Sequence, residues 1–292
     1  MLIRSTFHSR IQYMSRTTMK TGTDLAKVNA QISTGKKILN LSDEPWATSE
    51  LHQLRRGIQD QKHYEDASNR SMSLLSTTEY ALTAAMDVID RARMLSVQLG
   101  SDTYSGDDRA SVAQEVLFMK EHLLDIANTE FHGRYVFSGA AYDTASFDAT
   151  FAYAGSTTGS DIDISSTRSV AVGYDGSSVF QGTVDLFQTL DDFATALAAD
   201  DGDSIRDLID DFDDGLNQLD VVRTEVGTNT KRALDMIDLT QNLQVQLQDR
   251  LNSVENVDIA SALTEFSLLQ TQYDINLQLT TKTRTINLFS RM

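Results

Sequence analysis

The side chains that most often perform catalysis or bind metals are few in this sequence, and they are scattered. There are no cysteines, which excludes disulfides, thiolate metal sites and cysteine nucleophiles. Neither the HExxH pattern nor any other metal-ligand spacing occurs, and a solvated or packing role is the better interpretation for the histidines. These are His8, His52, His63, His122 and His132. The sequence therefore predicts a protein that is not an enzyme and holds no metal ion and no cofactor.

One segment superficially resembles a phosphate-binding loop. It is Ser-Thr-Gly-Lys-Lys at residues 33–37. Ala30 stands where the first glycine of such a loop is required, and Lys37 replaces the required Ser or Thr. The segment is therefore not predicted to bind phosphate.

Paired aspartates at 200–201, 210–211 and 213–214 raise the question of calcium, which needs several carboxylates converging on one ion. Phe212 interrupts the alternation of a calcium loop, and no glutamate stands at its far end. A solvated acidic helix face, with at most weak cation binding, is the better interpretation.

Charge is distributed very unevenly along the chain. The formal net charge is −17, and residues 140–222, with 17 aspartates, no glutamate and two arginines, carry −15 of it. Residues 1–60 carry +4, residues 61–139 carry −5, and residues 223–292 carry −1. Because the excess is acidic, nucleic acid is not an expected partner.

Membrane insertion is not expected either. No window approaches 18 uninterrupted apolar residues, and residues 1–10 contain neither an apolar core nor a small-residue cleavage site. We therefore expect a chain that does not use the general secretory route.

Both ends of the chain carry apolar residues at heptad spacing. At the N-terminal end, rows of residues seven apart begin at Phe7 and Ile11 and run to Val28 and Ile32. At the C-terminal end, a stripe over 259–277 has the same character. A helix with so narrow a stripe needs a partner helix. Periodicity alone favours a partner in the same chain over one in a neighbouring copy.

The layout predicts a mainly α fold with a small α+β insert. Because the two ends match in character, we expect a long antiparallel helical bundle built from both, with coiled-coil-like terminal helices. Alternating runs between glycine-bearing turns, such as 162–164, predict short strands in a central lobe. The predicted parts are an N-terminal helical part at 1–139, an acidic α+β lobe at 140–222, and a C-terminal helical part of the same core at 223–292.

Three segments resemble the flagellin superfamily. Gln-Ile-Ser-Thr-Gly-Lys-Lys-Ile at 31–38, followed by Ser-Asp-Glu-Pro at 42–45, resembles its N-terminal signature. The run at 259–273, which opens with Ile-Ala-Ser-Ala-Leu-Thr-Glu, resembles its C-terminal partner. Gly-Arg-Tyr-Val-Phe-Ser-Gly at 133–139 is similar to the segment that marks the branch joining hook to filament, as opposed to filament flagellin.

This resemblance implies a structural subunit of the bacterial flagellum at the hook–filament junction. It also implies export through the flagellar type III channel. The implied partners are copies of the same chain, an adjacent hook-associated protein, flagellin and an export chaperone. Two alternatives stay open: a minor flagellin that forms filament, and a secreted acidic binding or adhesin module with helical oligomerisation arms.

The resemblance also shifts the interpretation of the heptad stripes from intramolecular core to assembly between copies. The candidate assembly-interface residues are Phe7, Ile11, Met14, Leu25, Val28, Ile32, Leu263, Phe266, Tyr273 and Leu277.

Overall fold

The computed structural model describes residues 2–40, 44–101 and 103–289, and the side chains of 2–8 and 283–289 lie outside that description. The helices of the described residues are α1 (Leu2–Thr34), α2 (Pro45–Leu99), α3 (Gly106–Ala127), α4 (Gly176–Phe180), α5 (Leu186–Ala198), α6 (Gly202–Glu255) and α7 (Ile259–Phe289). The strands are β1 (Glu130–Phe131), β2 (Arg134–Tyr135), β3 (Ser160–Asp163) and β4 (Ser169–Gly173). The predicted fold class, long helices at both ends and a small β-containing middle, is confirmed.

The chain divides into two compact units. The first is Met1–Gln59 with Gln244–Met292, and the second is Asp60–Leu243. Helices α1 and α7 belong to the first unit, α3 to α5 and the strands belong to the second, and α2 and α6 contribute to both. The sequence-based boundaries after 139 and 222 stay a prediction.

In the second unit, α2 and α6 run antiparallel. Arg93 pairs with Asp213, and Gln241 Nε2 donates to Glu65 Oε1 over 2.9 Å, so residues later in α2 meet residues earlier in α6. Gly215 of α6 permits a close approach to Leu186 of α5, because a Cβ at position 215 would lie 2.5 Å from Leu186 Cδ2. Helix α5 packs on α3 and completes the helical layer.

The segment 133–139 begins in a tight β-hairpin. Strands β1 and β2 pair antiparallel, with Glu130 opposite Tyr135 and Phe131 opposite Arg134. The two loop residues, His132 and Gly133, both have positive φ, 52° and 74°, as the type I′ turn of a two-residue hairpin requires. Gly133, the first glycine of the segment 133–139, is therefore suited to its position because glycine readily adopts a positive φ.

The rest of that segment enters the core of the second unit. Phe137 is fully buried and meets the Phe180 ring edge-on, with 5.1 Å between ring centroids. Gly139 has φ +60°, and a Cβ there would lie 2.1 Å from the backbone oxygen of Ser156. The segment therefore holds the hairpin against the core, and Gly139 serves close backbone packing.

Several aspartates of the acidic middle act as helix caps or ion-pair partners. The Asp185 side chain accepts hydrogen bonds from the backbone N–H groups of Phe187 and Gln188 at the start of α5. Asp200 Oδ1 lies 2.6 Å from the buried guanidinium of Arg109. No group of three or more His, Asp or Glu side chains within the described ranges is placed to hold a metal ion. None of the helices described is long and apolar enough to cross a membrane.

Candidate assembly interface

Helices α1 and α7 pack against one another as an antiparallel pair in the first unit. Asn276 Nδ2 donates to Thr21 Oγ1 over 3.5 Å, and a Cβ on Gly22 would lie 3.3 Å from Cε2 of the Tyr273 ring. Thr21 and Val28 are buried in this seam. The contact depends on small residues of α1, because Gly22 leaves room for the Tyr273 ring.

The structure divides the predicted interface residues into two groups. The first group is at least partly covered: Val28 is buried, and six others are half-buried. Those six are Ile11, Met14, Leu25, Ile32, Phe266 and Tyr273. Two residues of α7 are exposed, Leu263 by 51% and Leu277 by 42%. The side chain of Phe7 lies outside the described residues.

Helix α7 carries apolar side chains on more sides than α1 covers. Leu268 is 57% exposed, Ile275 is 50% exposed and Leu279 is 48% exposed. At 100° per residue these three lie about 120° around the helix from the row that meets α1, on one strip of its surface. Leu263 and Leu277 lie on the other flank. Helix α7 therefore has two exposed apolar strips beside its seam with α1.

The N-terminal signature forms the turn that follows α1. Gly35 has φ +71° and its N–H donates to the Gln31 carbonyl over 2.8 Å, which ends the helix in the way glycine commonly does. The turn then pairs with the segment before α7: Lys37 N–H donates to the Glu255 carbonyl and Val257 N–H donates to the Gly35 carbonyl. The phosphate-loop resemblance thus has a structural explanation, since these residues close a helix.

Glu255 is the electrostatic centre of this connection. Its Oε1 lies 2.6 Å from Lys36 Nζ and 3.0 Å from Arg55 Nη2, and its side chain is 12% exposed. Hydrogen bonding from Lys36, followed by that from Arg55, lowers the pKa of Glu255 below its ordinary value in spite of burial. A second pair, Arg250 Nη2 to Glu50 Oε1 at 2.7 Å, joins α6 to α2 nearby.

Sequence reasoning missed Glu255 because nothing in its neighbourhood marks it. It is one carboxylate near the end of a 54-residue helix, and its two cations are about 200 residues away along the chain. The lysine pair at 36–37 belongs to the N-terminal signature at 31–38, and that signature does not indicate a carboxylate partner. Glu255 can be recognised as a buried ion-pair site only when the two ends of the chain are placed together.

These elements match the helical regions of flagellins. The bacterial flagellin N-terminal helical region matches residues 8–142, and the bacterial flagellin C-terminal helical region matches residues 209–290. The chain belongs to the flagellin family.

Within that family, two relatives that match along most of the chain are named flagellar hook-associated protein 3. The one from Escherichia coli (strain K12) is 28% identical over 277 residues, which are 85% of this chain and 87% of the relative. The one from Salmonella typhimurium is 28% identical over 291 residues, 90% of this chain and 91% of the relative. The predicted resemblance to the hook–filament branch is confirmed by these relatives.

Solved structures of similar proteins share the fold. Bacillus cereus FlgL aligns with a TM-score of 0.61 and 18% identity, covering 68% of this chain and 98% of that one. Xanthomonas campestris FlgL aligns with a TM-score of 0.63 and 16% identity, covering 68% and 99%. The predicted flagellin-like helical architecture is confirmed by this comparison.

Proposed function

We propose that this chain is the structural subunit that joins hook to filament in a bacterial flagellum, and that it works by helical bundling with neighbouring copies. The observation that carries the proposal is the pair of exposed apolar strips on α7. The similarity to flagellar hook-associated protein 3 along most of the chain supports the place of the subunit in the flagellum. No catalytic step forms part of this function.

The exposed strips give a physical reason for assembly. A helix that is apolar on several sides is stable in water only when several neighbours cover it. Covering Leu268 and Ile275, which are 57% and 50% exposed, would stabilise the assembly by about 1 kcal/mol each, since a fully buried side chain of this size contributes about 1.5 to 3 kcal/mol. Repeated around a ring of copies, these contributions add to a strong association.

The proposed partners follow from this position. Neighbouring copies cover the α7 strips, and an adjacent hook-associated protein and flagellin contact the two sides of the layer. The proposed route is export through the flagellar type III channel, with a chaperone covering apolar helix surface before export. A chain with no cysteine and one proline suits that route, because neither disulfide formation nor widespread proline isomerisation delays its refolding.

Deletion of the gene tests the function. Cells without this protein are expected to build hooks, to lack filaments and to release unpolymerised flagellin into the medium. Electron microscopy of the cells and immunoblotting of the medium measure both effects. Plasmid-borne wild type must restore filaments, and normal filaments on deletion cells would refute the junction role.

The same cells separate the alternatives. A minor flagellin would extend seeds into long filaments when purified, whereas a junction subunit would not. A secreted binding module would reach the medium of cells that lack the flagellar basal structure, whereas a type III flagellar substrate would stay inside them.

A further inference from the structure

An open groove in the second unit lies beside the β1–β2 hairpin. Its volume is about 470 Å³. Leu74, which is 8% exposed, and the half-buried Phe131 form its apolar part. Its polar margin comes from Arg70, Ser73, His132 and Arg134. The groove thus combines an apolar floor with a cationic rim.

Arg70 and Arg134 differ in one respect from three other arginines of this acidic unit. Arg91, Arg93 and Arg109 each make an ion pair with a carboxylate. Within the described part of the chain, neither Arg70 nor Arg134 has a carboxylate at ion-pair distance. The Arg134 guanidinium lies 3.8 Å from the centroid of the Tyr142 ring, which holds it in place beside the groove. The rim is therefore positioned to accept carboxylates from another molecule.

The exposed face of α6 has the complementary pattern. Val221 of this face is 70% exposed. Asp214 lies two turns before it and Glu225 lies one turn after it, both exposed. At 100° per residue the three positions fall within about 40° of each other on the helix surface. This face presents one apolar side chain between two carboxylates.

We propose that the groove of one copy binds the α6 face of a second copy, with Val221 against Leu74 and Phe131, and with Asp214 and Glu225 toward the two arginines. The inference rests on the proposed function, which makes copies of this chain neighbours. Charge complementarity supports this occupant, because guanidinium groups donate paired hydrogen bonds to carboxylates and Val221 offers an apolar contact to the groove floor. Since the two surfaces differ, the contact is head to tail and propagates around a layer of copies.

Cysteine cross-linking tests the contact, and the absence of natural cysteines makes it specific. Two full-length variants, Ser73→Cys in the groove margin and Thr224→Cys beside Val221, are co-expressed with tags of different length in cells that lack the wild type. Flagella from these cells are treated with a short bis-maleimide. The control replaces Ser73→Cys with Thr83→Cys, an exposed position of α2 about 15 Å further along the helix.

The expected result is a cross-link between the two tagged copies at about ten times the yield of the control pair. A yield no higher than the control on cells that carry normal filaments would overturn the proposal while leaving the junction function intact. Failure of the junction function is distinguishable from this result, because deletion cells would then carry normal filaments.

Charge exchange gives a second test. Arg70→Glu alone and Glu225→Arg alone are each expected to lower the cross-link yield about tenfold, because each places like charges together. The double variant restores an opposite pair between copies and should recover the yield. Lys62→Glu, the same charge change elsewhere on α2, serves as the control. A double variant no better than either single variant, or equal loss with Lys62→Glu, would overturn the contact.

Discussion

At the scale of single residues, Glu255 connects the two ends of the chain. Its carboxylate receives hydrogen bonds from Lys36 and Arg55, while its backbone carbonyl accepts from Lys37. Because the side chain is largely buried, the contribution of this cluster to the free energy of unfolding depends on both cations being present. The residue Glu255 therefore helps to hold the turn that follows α1 in place.

Replacement of this carboxylate should change both stability and its pH dependence. Glu255→Gln is expected to lower the free energy of unfolding by about 1 to 2 kcal/mol at pH 7, because charged hydrogen bonds are replaced by a neutral one. The pKa of Glu255 is lowered from 4.5 in the folded chain. Its stabilisation is therefore fully present above about pH 4.5 and is lost as pH falls through the folded-state pKa.

Thermal unfolding followed by circular dichroism at a series of pH values measures this effect. As the pH is lowered from 5, the free energy of unfolding of the wild type should fall by more than that of Glu255→Gln. Glu265→Gln, at an exposed position of α7, is the control and should behave like the wild type. Equal acid sensitivity of wild type and Glu255→Gln would show that the cluster contributes little.

At the scale of elements, α7 combines two roles that lie on different sides of one helix. One row meets α1 through Tyr273 and Asn276, and the strip about 120° away holds Leu268 and Ile275. Changes on the two sides should therefore have separable consequences, because only the first row is covered within one chain.

Matched charge insertions test that separation. Ile275→Asp puts a carboxylate on a side chain that is 50% exposed, so the melting temperature of the monomer should stay within the range of surface substitutions. Filament formation by cells carrying it should fail, because the carboxylate would be buried unpaired in the assembly.

Val28→Asp is the matched variant inside the seam. Val28 is 5% exposed, so a carboxylate there should destabilise the monomer itself by several kcal/mol. Calorimetry of the purified chains and electron microscopy of the cells give both readouts. If Ile275→Asp lowers the melting temperature as much as Val28→Asp, the strip belongs to the monomer core.

At the scale of the whole molecule, the second unit has one core to which distant segments contribute. Leu75 and Ile89 of α2 and Leu123 of α3 belong to the same buried cluster as Phe137 and Phe187. The acidic segment 140–222 therefore shares its apolar interior with helices on either side of it in sequence. Its high charge affects the surface of this unit and does not separate it from its neighbours.

Two fragments test where cooperativity lies. A fragment of residues 60–243 is expected to unfold in one cooperative thermal transition, because it contains the whole core. A fragment of residues 140–222 should be much less stable, since it lacks the α2 and α3 side chains that cover its aromatic residues. Calorimetry and near-ultraviolet circular dichroism measure both. A cooperative transition in the shorter fragment at the temperature of the longer one would support the boundaries predicted from the sequence.

The sequence by itself determined the elements and the family. Heptad rows from Phe7 and Ile11, a single proline at 45 and glycine-bearing turns in the middle are local signals, and each depends on residues a few positions apart. The signatures at 31–38, 133–139 and 259–273 could be recognised from the sequence for the same reason, since each is a short run of neighbouring residues. Composition alone placed the excess negative charge in 140–222.

Tertiary structure decided which surfaces these elements cover. The heptad pattern could not tell that Tyr273 packs beside Gly22 of α1 while Leu277 stays exposed, because periodicity locates a stripe but not the width of the partner helix. Nor could it pair Glu255 with Lys36, since the two are more than 200 positions apart in the chain. Contacts between distant segments depend on the path of the chain in three dimensions, and no local pattern encodes that path.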